Sequence, residues 1–533
     1  MQRRTFLSLA AVGAATACTG GGNSDSAVTT SVSPAPTTGA PTTEPTGPAE
    51  TAATTTTIPF QAGIGAAPFG LGVASGDPST DGFVIWTRLV DGSAGNPVFS
   101  GPVEVSWWVA TEPGAAAVAS GTTITDETLG HSVHVVAEGL SPDTVYFYGF
   151  DVGGVASPMG RSRTSPTSAA STRVAFASCQ HYEDGYFTAW DHIVEDQPDM
   201  AIVLGDMIYT RSGTEPKVRE HGTSTPGDLT AFRRRWALYT AEEPLQRARA
   251  SMPVCAVWDD NEVLSNYSAD SPSGAQPTAE FAALRQAAYR AWWEHQPVRT
   301  GPPDESGALQ IYRKLDWGDL ATLWLLDERQ YRSAQVCERL EALPAIEACE
   351  AIDDPSRTML GQAQEEWLDE GISGSRAVWQ LLASQTVVAD WLIEVGDIAG
   401  LNNDQWDGYS PARDRLLATL SKADRALIVS GDVHLGAVNM VRGPNDTAFT
   451  ELVTPSISSA LDDRLALGLE LTVAASDDVA YFETRHHGYV LVDITPGLAT
   501  ATFRHVDPAS PSSPAANGPI VEANGRGALA VTR

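Results

Sequence analysis

The stretch AIVLGDMIYT (201–210) is apolar for four residues and then closes on Gly205 and Asp206, with Tyr209 three residues further on. An apolar run of strand length that ends in Gly-Asp reads as a buried parallel strand, whose carboxyl end opens onto a crevice where ligands bind. Three other segments repeat the design. VAFAS (174–178) delivers Cys179, VCAVWDDNE (254–262) delivers Asp259 and Asp260, and LIVSGDVHLG (427–436) delivers Asp432 and His434. Singly, each has a plain reading: a buried Cys is a small hydrophobe, paired Asp residues cap helices, and a His satisfies a local hydrogen bond. Four strand ends of compatible chemistry in chain order are hard to obtain from packing alone. A thiolate, a phenolate, carboxylates and an imidazole form a mixed soft and hard donor set, suited to a trivalent iron beside a divalent oxygen-seeking ion. Two adjacent metals suggest phosphoryl ester hydrolysis.

Working outward, strand candidates alternate with helices from residue 171 onward. VAFASC, MAIVLGD, VCAVWDD, LATLWLLD, AVWQLLAS and ALIVSGD are separated by helical stretches such as 278–295 and 358–372, which is α/β organisation. HGYVLVDITPG and ATATFRHVD supply the last strands, and residues 508–533 read as a loose carboxy-terminal tail. Residues 66–170 read as an all-β domain instead, with VEVSWWVAT alternating polar and apolar positions. Within it, Tyr146 follows a Leu-x-Pro-x-Thr turn like the tyrosine corner of Ig-like and fibronectin-type sandwiches. His131 and His134 lack a Cys or carboxylate spaced to join them, so they read as packed or solvated side chains.

The first 65 residues stand apart. Residues 1–17 carry Arg3 and Arg4 before a short apolar stretch far below membrane-spanning length, an export signal of the twin-arginine type that engages the corresponding export machinery. Cys18 sits where a lipoprotein would be cleaved and lipidated, which would tether an exported protein to the cell surface; without lipidation it would be secreted. Residues 18–65 are rich in Thr, Pro and Ala and read as a disordered linker. In such a compartment Cys337 and Cys349, twelve apart, most simply form a disulfide, while Cys255 within an apolar strand reads as core. The formal charge of −32 argues against sequence-specific nucleic-acid binding, and bound cations would reverse the local field for an anionic substrate. Neither a G-x-S-x-G nor a P-loop pattern occurs.

GDMIY, WDDNE, LDERQYR (326–332) and SGDVH resemble the signatures of PhoD-type alkaline phosphatases and phosphodiesterases, relatives of the purple acid phosphatases. FGLGVASGDPSTDGFVIWTRL (69–89) and GLSPDTVYFYGF (139–150) resemble the start and end of that family's amino-terminal domain, and DQWDGY (404–409) a later internal motif. The resemblance covers about residues 66–507. It implies a four-layer α/β metallophosphatase sandwich over 171–507 behind an Ig- or fibronectin-like β-domain. Fe³⁺ would be held by Cys179, Asp206, Tyr209 and His434, with Asp206 bridging to Ca²⁺ on Asp260, Asn266 and Asp432, and Asp259 a candidate for a further Ca²⁺. A metal-activated hydroxide would release phosphate from small organic phosphate monoesters or diesters. Arg329 and Arg332 would either clamp substrate oxygens or make an ion pair with Asp327 or a neighbouring helix. In place of the family's usual His after the paired aspartates stands Asn261, which can only hydrogen-bond, so the general acid is missing unless His181 or His487 supplies the proton. The other readings are a phospholipase D-like diesterase and a non-catalytic phosphate- or sugar-binding lipoprotein.

Overall fold

The computed structural model describes residues 60–213, 216–273, 275–337, 349–391, 393–395, 398–527 and 529–532. The leader, Cys18 and the linker up to residue 59 lie outside the described residues. Two seven-stranded sheets carry the second part of the chain. The first runs in spatial order Val254–Ala256, Met200–Val203, Thr172–Ala177, His487–Ile494, Ala499–Val506, Ala516–Ala523, Leu529–Thr532. Its first three strands are parallel, so the carboxyl ends carrying Cys179, Asp206 and Asp259 emerge on one edge. The second sheet has Ala321–Leu325, Trp379–Ala383, Ala426–Ser430 and Ala448–Val453 parallel at its centre, with Arg313–Trp317 and the pair Gly436–Arg442, Val479–Glu483 antiparallel at its margins.

The short apolar runs become strands because both of their faces are covered. Leu323, Leu325, Leu381, Ala383, Leu427 and Val429 share a core with Phe176, Ile202 and Val490 of the first sheet. The alternate residues Trp324, Leu382 and Ile428 point the other way, into a second core with Leu368 and Ile372 of helix Gly361–Gly374 and Leu416, Leu417 and Leu420 of helix Ser410–Leu420. Burial on both faces leaves few polar positions, Thr322 and Gln380 among them, which is why these strands read as near-continuous hydrophobic runs.

Before residue 171 the chain forms two antiparallel sheets, Val73–Ser79, Gly82–Arg88, Ser132–Glu138 and Ala119–Thr125, Val103–Ala110, Val145–Val152 with the short strands Val155–Ala156 and Gly160–Arg163. Phe83, Ile85, Val105, Val109, Tyr146 and Tyr148 from both sheets share one core, and the Tyr146 hydroxyl accepts from Ser141 N–H at 2.9 Å. This unit is fastened to the rest by buried polar contacts: Trp86 Nε1–H donates to Glu294 O at 3.0 Å, Arg88 lies 2.7 Å from His295 Nε2, and Asp77 pairs with Arg313 at 2.8 Å.

Two expected boundaries are corrected. Residues 508–533 are not a loose tail: Ala516–Ala523 pairs with Ala499–Val506, Leu529–Thr532 adds a further strand, and Val521 and Ala523 join the main core. The Pro- and Ser-rich stretch before them is a connection. Residues 60–65 do not belong to the linker, since Phe60 packs 5.6 Å from Phe147, Ala62 is buried, and Gly65 N–H donates to Gln246 Oε1 at 2.8 Å. Among the described residues no helix is long and apolar enough to cross a membrane.

Candidate metal centre

The sheet edges bring two overlapping donor groups together. Cys179, Asp206 and His434 offer ligand atoms within 4.8 Å of one another, and so do Asp206, Asp259, Asp260 and Asp432. Asp206 belongs to both. The turns that follow the strands make this possible through unusual backbone: Cys179, Asp206, Asn266, Asp432 and His434 all have positive φ, between 56° and 68°. L-residues resist that region by about 1–2 kcal/mol each, and such strain gathers at sites where side-chain direction matters more than local comfort. Gly205, with φ +108°, is required outright, because a Cβ there would lie 2.3 Å from Asp259 Cβ.

Tyr209 completes the first group. Its hydroxyl lies 3.0 Å from His434 Nε2, and Ser459 Oγ lies 2.8 Å from the same hydroxyl and 2.7 Å from Cys179 O. His434 Nδ1 sits 2.9 Å from Ala460 O, so it carries the proton and leaves the Nε2 lone pair facing the donor group, the tautomer a metal ligand needs. The second group is built around the WDDNE turn. Asn261 donates from Nδ2 to Asp206 Oδ2 at 3.0 Å and to Asp260 Oδ1 at 2.6 Å, and its N–H donates to Asp206 Oδ1 at 3.1 Å. Asn266 N–H donates to Asp260 Oδ2 at 2.5 Å, while its side-chain oxygen accepts from Ser265.

The electrostatics are those of a site short of positive charge. Burial, then Asp260 and Asp259, pushes the Asp206 carboxyl well above the usual range. Burial and then Asp404 pushes Asp432 up to about 7. Burial likewise raises the Cys179 thiol and the Tyr209 phenol, and lowers His434 to about 4. Arg329 meets Asp259, Asp404 at 2.9 Å and Asp432 at 3.8 Å. One guanidinium cannot neutralise this many buried carboxylates, so the donor set fits cations. Buried Asn261 Oδ1, His181 Nε2 and one Arg329 terminal nitrogen make no hydrogen bond.

The arginines divide. Arg329 is ion-paired with Asp259, with Asp404 and, through the nitrogen that makes no hydrogen bond, with Asp432, and not with the Asp327 carboxylate. Arg332 spends Nε on Ser268 and its terminal nitrogens on Tyr267 O and Asp404, so it anchors the wall. The His181 ring lies 4.4 Å from that of Tyr209, tilted by 53°, with its buried Nε2 unpartnered, whereas His487 Nδ1 lies 2.8 Å from Ser456 Oγ. Three contributors had no assigned role in the sequence. Glu262 accepts the N–H groups of Asp206, Met207 and Asp259, Asp404 receives both arginines, and Gln405 donates to Asp432. Asp404 and Gln405 lie in the DQWDGY motif and Glu262 ends WDDNE, so the motifs marked the place without the task. Away from the centre, Cys337 and Cys349 are joined as a disulfide with Cα atoms 5.8 Å apart; residues 338–348 between them lie outside the described residues.

The family profile for PhoD-like phosphatases matches residues 174–503, and that for the PhoD-like phosphatase N-terminal domain matches residues 52–166. The chain belongs to the PhoD-like phosphatase family. With that membership it is a phosphoric ester hydrolase. It is 35% identical over 456 residues to alkaline phosphatase D of Bacillus subtilis (strain 168), a match that covers 82% of this chain and 77% of that one. A solved structure of PhoD superposes with a TM-score of 0.81 at 31% identity, covering 88% of this chain and 92% of the other. Its multi-sheet α/β fold is therefore that of a PhoD-like phosphatase.

Proposed function

We propose that this chain is an exported, metal-dependent alkaline phosphatase and phosphodiesterase acting on small organic phosphate esters outside the cytoplasm. The observation that carries the reading is the shared Asp206: one carboxylate common to a thiol, phenol and imidazole group and to an all-carboxylate group is the arrangement a pair of unlike cations needs. Fe³⁺ fits Cys179, Asp206, Tyr209 and His434; Ca²⁺ fits Asp206, Asp260, Asn266 and Asp432, with Asp259 available to a further Ca²⁺. When bound, the cations supply Lewis acidity, making a water acidic at neutral pH and neutralising charge that develops on phosphoryl oxygens. The chain's own residues then do two things. The Arg329 nitrogen that makes no hydrogen bond, 3.8 Å from Asp432, grips a phosphoryl oxygen, and Asn261 holds the Asp206 and Asp260 carboxylates in register without supplying a proton.

The same reading takes the two sheets with their flanking helices as the four-layer metallophosphatase sandwich and the amino-terminal unit as Ig- or fibronectin-like, supported by the Tyr146 to Ser141 contact. Export, with or without a lipid anchor on Cys18, rests on the leader sequence. The deciding experiment is hydrolysis of p-nitrophenyl phosphate and its bis-ester by the purified chain, with elemental analysis and with excess EGTA. Iron with a visible absorption band that Tyr209→Phe removes, and activity lost in EGTA while the band stays, are expected. An active enzyme without iron, or full activity in EGTA, overturns the metal assignment.

A further inference from the structure

Next to the metal centre lies a cavity that holds about 170 Å³ of free space and opens to solvent. Asn266, Asp432 and His434 of the centre line it. The apolar part of the lining comes from Val387, Trp391, Val433, Leu461, Leu465 and Leu469. Among the described residues no lysine or arginine lines it. The buried Trp391 indole N–H, part of that wall, has no hydrogen-bond partner.

Helix Asp463–Thr472 explains the chemistry of this wall. Leu465 and Leu469 are one turn apart and line the cavity. Leu467 and Leu471 repeat the spacing on the outer side and stand 57% and 67% exposed. A helix that is apolar on both sides at the rim of a site is not explained by core packing, since the outer pair meets water.

Building on the hydrolase reading above, we propose that the apolar lobe receives the organic group of the phosphoester, and that this group is an alkyl or aryl chain, longer chains running out over Leu467 and Leu471. A sugar or polyol would give up its hydrogen bonds to water and find the Trp391 N–H as the one unspent donor of the apolar wall. A group bearing further phosphates or carboxylates would find no lysine or arginine in the lining, because the arginines behind it are spent on Asp404 and Asp407. An alkyl chain loses nothing and gains with each methylene buried.

The test uses n-alkylphosphonates from methyl to octyl as competitive inhibitors of p-nitrophenyl phosphate hydrolysis by the metal-loaded full chain, with 2-hydroxyethyl- and carboxyethylphosphonate as polar controls. The inhibition constant should fall by about two- to fourfold per methylene up to hexyl, with the carboxylated control the weakest of the set. Leu465→Asn should flatten the series. The exposed double variant Leu467→Asn/Leu471→Asn, which removes no core contact, should keep the slope to hexyl and lose the gain beyond it. A flat series with the ester still hydrolysed overturns the lobe and leaves the hydrolase reading intact. Absence of hydrolysis overturns that reading instead, and calorimetric binding of the same phosphonates then decides the lobe separately.

Discussion

Glu262 ties the two donor groups together although it touches no substrate space. Its two carboxylate oxygens accept three main-chain amides, from Asp206, Met207 and Asp259, at 3.1, 2.6 and 2.9 Å. Glu262→Gln removes one acceptor oxygen and turns an NH₂ towards these donors, leaving a buried amide without a partner. We expect a loss of about 1–3 kcal/mol in urea denaturation, together with a lower metal content, since the turns that carry Asp206 and Asp259 lose their common anchor. Unchanged stability and metal content would show that the clamp is idle. Asn261 poses the second question at this scale. Both Nδ2 hydrogens are spent on carboxylates, and an amide transfers no proton in any case. Alkyl phosphates, whose leaving oxygen needs protonation, should therefore be cleaved more slowly than nitrophenyl esters by about 10²–10⁴-fold. Asn261→His should raise the alkyl rate alone; an equal effect on both esters refutes the missing acid and leaves His181 or His487 as donor. The ligand residues were legible because each ends an apolar run. The roles of Glu262, Asp404 and Ser459 were not, because, apart from Asp259 beside Glu262, the partners that define them lie 55 to 280 residues away in sequence and no local pattern encodes such a meeting.

At the scale of elements, the parallel strands were legible for the same reason that they are buried on both faces. The final strands were not. Ala516–Ala523 alternates exposed and buried residues beyond its first three positions, and Leu529–Thr532 is only four residues long with none of them buried, while the stretch PASPSSPAANG has the composition of a linker. An edge strand covered on one side carries too weak a hydrophobic signal to outweigh the Pro and Ser in front of it. The structure makes the distinction testable. Val521 is fully buried, and Gly525 comes so close to Trp379 that a Cβ would lie 2.5 Å from the ring. Truncation after Asp507 should uncover the Ala499–Val506 strand and yield insoluble or strongly destabilised protein. A truncated chain with an unchanged melting temperature would restore the tail.

For the whole molecule, the decisive feature is the joint between the amino-terminal β-unit and the catalytic part, which the sequence reading passed over because its contacts pair residues more than 150 apart. His134 illustrates it. The ring stacks on Trp293 at 4.2 Å, and Nε2 lies 3.1 Å from Trp293 O and 2.9 Å from Gln296 O, so that nitrogen donates and the imidazole is held in one tautomer. Burial lowers its pKa to about 4 from an ordinary value near 6.5. Between those two values the unfolded chain takes up a proton that the folded chain refuses. Stability from this group is therefore complete above about pH 6.5 and drains away as the pH falls towards 4. His181, His221 and His487 are lowered by burial in the same direction, so the protein as a whole should be acid-labile well above the range where carboxylates titrate. His134→Gln keeps an N–H donor for the two carbonyls but cannot titrate. Its melting temperature should drop less than that of the parent between pH 7 and pH 5, with the other histidines accounting for the remainder. Equal drops in the two proteins would mean that His134 is protonated in the folded state, and that the joint is held by Asp77, Trp86 and Arg88 without it.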